Sequence, residues 1–287
     1  MEENSEIRIG CPVWSCPHWR GEVYRDKSPR KNWLAEYSRV FDSVEGNSTF
    51  YGIPQPDTFK RWGAETAESF RFALKFPRVV SHELQLIGAE KETAAFLDGV
   101  SILHEADRLG PSFLQLGPRF GPSRFAALKN YLNNLPQPFP YAVEVRHPDF
   151  FNEPFESELN AMLTEMGIDR VIFDSRPLFS APPSDEIEVA AQTRKPKLPV
   201  RIRATGCNPI LRLIGRNDVA TAQPWIDEWS ETINDWALDG KTPYVFAHTP
   251  DDAFAPKMAK MLAEKLNTTL GHPANHRETD KVQQMLF

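Results

Sequence analysis

A chain of 287 residues, 41% hydrophobic and 25% charged, carries enough apolar material for a large core, which excludes disorder as a description of the whole. The formal net charge of −6 argues against a surface coated with basic groups for nucleic acid, and apolar runs such as 244–247 fall far short of the ~20 residues that span a bilayer. The acidic start, Met1-Glu2-Glu3-Asn4-Ser5-Glu6, lacks the basic and apolar parts of an export signal, so the expected location is the cytoplasm, with no membrane partner.

Eight short runs rich in β-branched or aromatic residues follow one another, each leading into polar residues and then into a segment with helical periodicity. They run from Ile7 to Gly10, Ser43 to Asn47, Phe70 to Lys75, Ser112 to Leu116, Tyr141 to Val145, Arg170 to Phe173, Ile210 to Ile214 and Tyr244 to Ala247. This alternation predicts an α/β chain, a single (β/α)8 TIM barrel of parallel strands over residues 7–268, followed by a flexible C-terminal tail over 269–287. Ser28-Pro29 reads as a helix start, with Ser28 as the cap and Trp33, Leu34, Tyr37 and Phe41 as the apolar stripe. Later stripes are Phe125, Leu128, Leu132 and Leu135, then Leu159, Met162, Leu163 and Met166, then Trp225, Trp229, Ile233 and Trp236. These aromatic and methionine stripes read as core. The Pro-rich stretch from Pro182 to Pro199 reads as a connection between the sixth and seventh strands, because strands continue after it.

Cys11, Cys16 and Cys207 are an odd, sparse set that fits a reducing compartment. Cys11, Cys16 and His18 lie close together, but a zinc site normally wants four ligands at tighter, paired spacings, so they read as loop residues.

In a barrel the side chains alternate in and out along each strand, and those at the C-terminal ends face the pocket. Glu45 and Asn47 end the second run and share a face. Lys75 ends the third, with His82 just beyond; Gln115 lies on the fourth. Glu144 and Arg146 share a face of the fifth, with His147 past them, and Asp174, Ser175 and Arg176 end the sixth. Arg212, His248 and Asp252 come from the last two. Glu45, Lys75, Glu144, Asp174 and His147 are therefore the candidate catalytic groups. Trp14, Asn47, Tyr51, His82, Gln115, Arg146, Arg212 and His248 are the candidate ligand-binding groups.

Two readings of each charge stand open. Glu45 with Lys75, or Glu144 with Arg146, can be ion pairs that satisfy one another; alternatively they work on a ligand. The carboxylates can serve as acid, base or ligands of a divalent metal, and Lys75 can pair with a phosphate or carboxylate or form a Schiff base if its pKa is depressed. Trp14, Trp19 and Tyr51 can stack on a sugar or base, or cover the barrel mouth. Residues 194–203 carry five positive charges and read as a solvated loop or a phosphate attractor. No glycine-rich phosphate loop and no His-Glu-x-x-His helix occur.

Taken in order, Ile9-Gly10-Cys11-Pro12-Val13-Trp14, Val44-Glu45-Gly46-Asn47-Ser48-Thr49-Phe50-Tyr51, Phe72 to Pro77 with Ser81-His82, Leu114-Gln115-Leu116, Ala142-Val143-Glu144-Val145-Arg146-His147 and Asp174-Ser175-Arg176-Pro177 resemble the YecE-like family, domain of unknown function 72. The resemblance covers residues 7 to 265 and implies a TIM barrel whose pocket these motifs line. It brings no established reaction with it. That family's last strand often ends in paired asparagines where Ala247 and His248 stand here, which removes support for a role needing an amide there.

The chain closes with Gln283-Gln284-Met285-Leu286-Phe287, similar to the Gln-x-x-Leu-Phe peptide that docks bacterial proteins on the replication sliding clamp. Gln283, Leu286 and Phe287 are thus candidate partner-binding residues, and a Leu-Phe end tucked onto the barrel is the alternative. Three functions follow as expectations: a barrel enzyme acting on a small anionic or phosphorylated ligand; a DNA repair or processing factor brought to nucleic acid by its tail; and a non-catalytic ligand-binding barrel.

Overall fold

A computed structural model describes residues 6–271, so the predicted clamp-binding residues Gln283, Leu286 and Phe287 lie outside the described residues. Nine strands are present among the described residues: β1 (Arg8–Cys11), β2 (Ser43–Gly46), β3 (Arg71–Leu74), β4 (Ser112–Gln115), β5 (Tyr141–Glu144), β6 (Asp169–Arg170), β7 (Ile172–Asp174), β8 (Ile210–Ile214) and β9 (Tyr244–His248). All ladders are parallel and form a six-stranded sheet, β3-β2-β1-β9-β8-β7, and a three-stranded sheet, β4-β5-β6. The expected sixth strand is two pieces, interrupted at Val171, whose N–H donates to the Val143 carbonyl at 2.9 Å. Backbone bonds also run between β3 and β4, from Gly110 N–H to the Phe72 carbonyl at 2.9 Å and from Phe76 N–H to the Phe113 carbonyl at 3.0 Å.

The intervening helices are α1 (Trp33–Tyr37), α2 (Ser48–Tyr51), α3 (Pro56–Glu65), α4 (Glu90–Glu105), α5 (Phe125–Asn133), α6 (Phe155–Glu165), α7 (Glu186–Arg194), α8 (Gln223–Leu238) and α9 (Ala255–Lys265). Among the described residues no helix is long and apolar enough to cross a membrane. The predicted stripes are the faces that pack: Leu128 and Leu132, Leu159 and Leu163, and Trp229, Ile233 and Trp236 are all buried.

Period-two alternation sorts the strand side chains into two layers. Val44, Leu74, Leu114, Val143, Ile172, Leu211, Leu213 and Val245 join the large core shared with the helices. Their neighbours Ala73, Phe113, Ala142, Val171, Ile210, Tyr244 and Phe246 form a separate buried cluster that draws on both sheets. The next inward position up from that cluster is polar or charged on β3, β4, β5, β8 and β9 and is Phe173 on β7, and this sets the height of the candidate site.

Two local features depart from expectation. Ser28 does not cap a helix: its hydroxyl donates to Glu36 Oε1 at 2.7 Å, and the chain passes through a short 3-10 turn at Arg30–Asn32 before α1. The connection between Pro182 and Pro199 contains α7, whose first turn is capped by Asp185 accepting from Glu188 N–H at 2.8 Å. An Asp followed three residues later by Glu is a helix-start signal that the surrounding prolines mask.

Gly10 holds β1 against β2. A Cβ there would stand 2.0 Å from the Ser43 carbonyl oxygen and 3.2 Å from the Tyr37 hydroxyl. That hydroxyl fills the seam, accepting from Cys11 N–H at 2.7 Å and donating to the Ser43 carbonyl at 3.0 Å. A methyl group at position 10 has backbone, not a flexible side chain, in its way. Gly10→Ala is expected to destabilise by about 3 kcal/mol, at the upper end for overpacking, and urea denaturation reads this directly; an unchanged midpoint rules the crowding out.

Candidate functional site

The site is built around Arg212 on β8, an inward position with only 3% exposure. Its Nε and Nη2 donate to the two oxygens of Glu45 on β2 at 2.8 and 2.7 Å, a bidentate pair. Its Nη1 donates to Glu144 on β5 at 2.6 Å and to Gln115 on β4 at 3.5 Å. Arg146 completes the chain, donating to Glu144 Oε1 at 2.6 Å and Gln115 Oε1 at 3.0 Å. His248 on β9 lies 3.0 Å from Glu45 Oε2, and Asn47 donates its amide to Glu45 Oε1 at 2.6 Å and to the Pro12 carbonyl at 3.0 Å. Phe173 lies against both guanidiniums, 5.4 Å from Arg212 and 5.0 Å from Arg146.

Electrostatics follow from burial and pairing. Burial pushes the Glu45 carboxyl up, but Arg212 and His248 overcome it and hold the group well below the usual range. Burial likewise opposes ionisation of Glu144, yet Arg146, Arg212 and Lys75 bring it down to about 2. Burial drives His248 down to about 4 against the pull of Glu45, so its imidazole is neutral and its Nε2–H donates to Glu45. The Glu144–Arg146 pair anticipated from spacing is present; Glu45 pairs with Arg212 rather than with Lys75.

Lys75 is the exception in this layer. It is 7% exposed, its Nζ sits 3.9 Å above the centre of the Phe50 ring, and among the described residues no carboxylate comes within 4.0 Å of it. Burial, then Arg212 and Arg146, lower it to about 7, with Glu144 and Glu45 pulling the other way. Lys195, just after α7, is half-buried within reach of Arg212, Asp252, Glu45 and Arg146, and burial followed by Arg212 lowers it to about 8. Asp252 has left-handed backbone at φ 62° and is raised to about 6, chiefly by burial. His82 shares the Phe50 ring at 5.2 Å, bonds Ser81 at 2.8 Å, and is lowered to about 4 by burial and by Lys75 and Arg146.

Other predicted residues lie elsewhere. The Asp174 carboxylate turns away from this layer, accepting from Arg176 at 2.7 Å and from Trp229 Nε1 on α8 at 2.8 Å, because Phe173 occupies the inward position. His147 caps a short turn, its Nδ1 accepting from Asp149 N–H at 3.3 Å. Trp14 packs edge-on to Trp62 and Phe72 at 5.0 and 6.1 Å, and Tyr51 is 81% exposed with its ring edge-on to Phe50 at 5.2 Å. Among the described residues no three His, Cys, Asp or Glu side chains assemble as metal ligands. Cys11 and Cys16 are buried while His18 is exposed, so that trio does not converge.

A sequence profile described as a protein of unknown function, DUF72, matches residues 8–283. The chain belongs to the DUF72 family. It is 41% identical over 265 residues to the UPF0759 protein YecE of Escherichia coli K12, covering 92% of this chain and 94% of that one, and 40% identical to its counterpart in strain O157:H7. Among solved structures, a DUF72 family protein from Enterococcus faecalis V583 superposes with a TM-score of 0.71 at 22% identity, covering 92% of this chain and 96% of the other. One from Thermotoga maritima MSB8 gives 0.65 at 22% identity, over 91% and 98%. These likenesses show the shared α/β fold with its parallel sheet.

Two residues of this DUF72 chain escaped the sequence reading. Phe50 reads in the sequence only as a neighbour of Tyr51, and Lys195 sits in a basic run, two of whose other members bind their own chain: Arg201 holds Glu156 at 2.8 Å and Lys197 faces the Phe179 ring. The signal for Lys195 was the capped helix that ends just before it.

Arg212→Met leaves Glu45 without its bidentate partner and is expected to destabilise this DUF72 protein by about 3–5 kcal/mol in chemical denaturation, since a buried pair loses one member. The same loss from Asp227→Asn, at the half-exposed ion pair that Asp227 makes with Lys265 at 2.8 Å, would show the assay insensitive to burial. Lys75 behaves oppositely. Its folded pKa lies below its unfolded value, so its cost to stability is fully present below pH 7 and fades as pH rises from there toward the ordinary lysine range. Lys75→Met is therefore expected to raise the melting temperature at pH 6 and to gain little at pH 10; an equal gain at both pH values contradicts the assignment.

Proposed function

We propose that this chain is a barrel enzyme that takes a small anionic or phosphorylated ligand at the C-terminal ends of its strands. On this reading the two ladders form one closed (β/α)8 barrel. The bonds between β3 and β4, the Val143–Val171 bond and the interior cluster fed by both sheets support that closure.

The observation that carries the functional reading is the Lys75 amine, left among the described residues without a carboxylate within 4.0 Å, beside Glu45 and Glu144, which arginines already hold. Glu45 and Glu144 are engaged by arginines, so neither is free to neutralise a cationic ligand. Lys75 is left without a carboxylate partner, and Lys195, whose charge Asp252 partly offsets, stands within electrostatic reach of the same arginines. An anion seated between the two lysines supplies the missing partner and draws both back to the charged form.

Isothermal titration with inorganic phosphate and pyrophosphate tests this. Binding is expected to weaken as pH rises through 7 and 8, where the two lysines lose their protons, and to take up protons near pH 8. Lys75→Met and Lys195→Met are each expected to weaken it about tenfold, the worth of one charge-assisted hydrogen bond. Absence of binding by either anion, or affinities untouched by both substitutions, defeats the proposal.

A further inference from the structure

A lysine is a poor choice for a permanent anion clamp. Arginine grips phosphate or carboxylate with two parallel bonds and keeps its charge at any physiological pH, and two arginines already stand in this layer. Lys75 occupies the place where an amine loses its proton most easily. Its Nζ lies over an aromatic face, just past the end of β3, with the guanidiniums of Arg212 on β8 and of Arg146 beyond β5 in electrostatic reach and no carboxylate within 4.0 Å among the described residues. A desolvated lysine beside other cations is the arrangement that makes a neutral amine nucleophile near pH 7.

We infer that Lys75 Nζ forms a Schiff base with a carbonyl compound carrying a phosphate or carboxylate; this rests on the anionic-ligand reading above. The nitrogen lone pair attacks the carbonyl carbon, a C–N bond forms, and the carbonyl π pair moves to oxygen. A proton passes from nitrogen to that oxygen to give the carbinolamine. Protonation of the hydroxyl then releases water as the nitrogen lone pair closes the C=N bond. One amine, one carbonyl and one proton give one iminium and one water, and nothing is oxidised or reduced. His82 carries the proton between nitrogen and oxygen: it is neutral, it shares the Phe50 ring with Lys75, and its Nδ1 is held at 2.8 Å from the Ser81 hydroxyl.

The full chain is incubated at pH 7 with pyruvate, and separately with glycolaldehyde phosphate, in the presence of sodium cyanoborohydride, which reduces an iminium to a stable secondary amine. Peptide mass spectrometry then compares Lys75 with the exposed Lys257. Labelling at Lys75 is expected to exceed that at Lys257 by about tenfold or more with one of the two probes, because only a lysine of depressed pKa is substantially neutral at this pH. The probe that labels separates a carboxylate from a phosphate ligand. Lys75→Arg cannot form the imine, so it is expected to lose the adduct at this position while Lys257 keeps its background labelling. Labelling of Lys75 no greater than that of Lys257 with both probes overturns the inference, even where the unaltered chain binds phosphate; that comparison does not depend on any variant folding. A chain labelled at Lys75 that binds no phosphate keeps the amine chemistry and overturns only the anionic-ligand reading.

Discussion

A guanidinium buried to 3% exposure at the centre of the strands needs its charge answered on every side, and Arg212 finds that answer on three different strands. Taking an ion out of water costs several kcal/mol even after relaxation, so the arrangement is stable only if Glu45, Glu144 and Gln115 stand at one height and present their oxygens together. That requirement ties β2, β4, β5 and β8 into a common register. Asn47 and His248 also bond the Glu45 carboxylate, and Phe173 lies against both arginines. The layer is saturated within itself, which makes it a rigid floor.

What stands on that floor has a different character. Lys75, Lys195, Asp252 and His82 all have acid–base equilibria displaced by burial, and none is locked by a bidentate partner. On the proposed reading it is their charge states, not those of the floor, that an occupant changes. A rigid, fully paired layer under a responsive one is the division of labour that a site for proton transfer and anion recognition requires.

Much of this was legible in the sequence because strand alternation is strict. Glu45, Lys75, Gln115, Glu144, Arg146, Arg212 and His248 were all placed by counting twos from strand ends, and the structure brings them together. Asp174 shows the limit of such counting: the interruption at Val171 makes the inward position hard to assign, and Phe173, not its neighbour, faces the two arginines. Pairing was less legible than placement. Spacing offered Lys75 to Glu45, but the true partner lies 167 residues away, across the strands, where no local pattern points. Lys195 is legible only through the capped helix that ends just before it, since a charge run by itself carries no mark of which member turns inward.

The Tyr37 hydroxyl wedged beside Gly10 has a consequence for how the protein can vary. A slip of one residue between β1 and β2 would turn Glu45 toward the helices, and the phenol, bonded to both strands at once, forbids that slip. Tyr37 belongs to α1, on the outside. Surface drift that repositions α1 therefore reaches inward as a gear tooth does, and the outer helix and the innermost carboxylate can change only in concert.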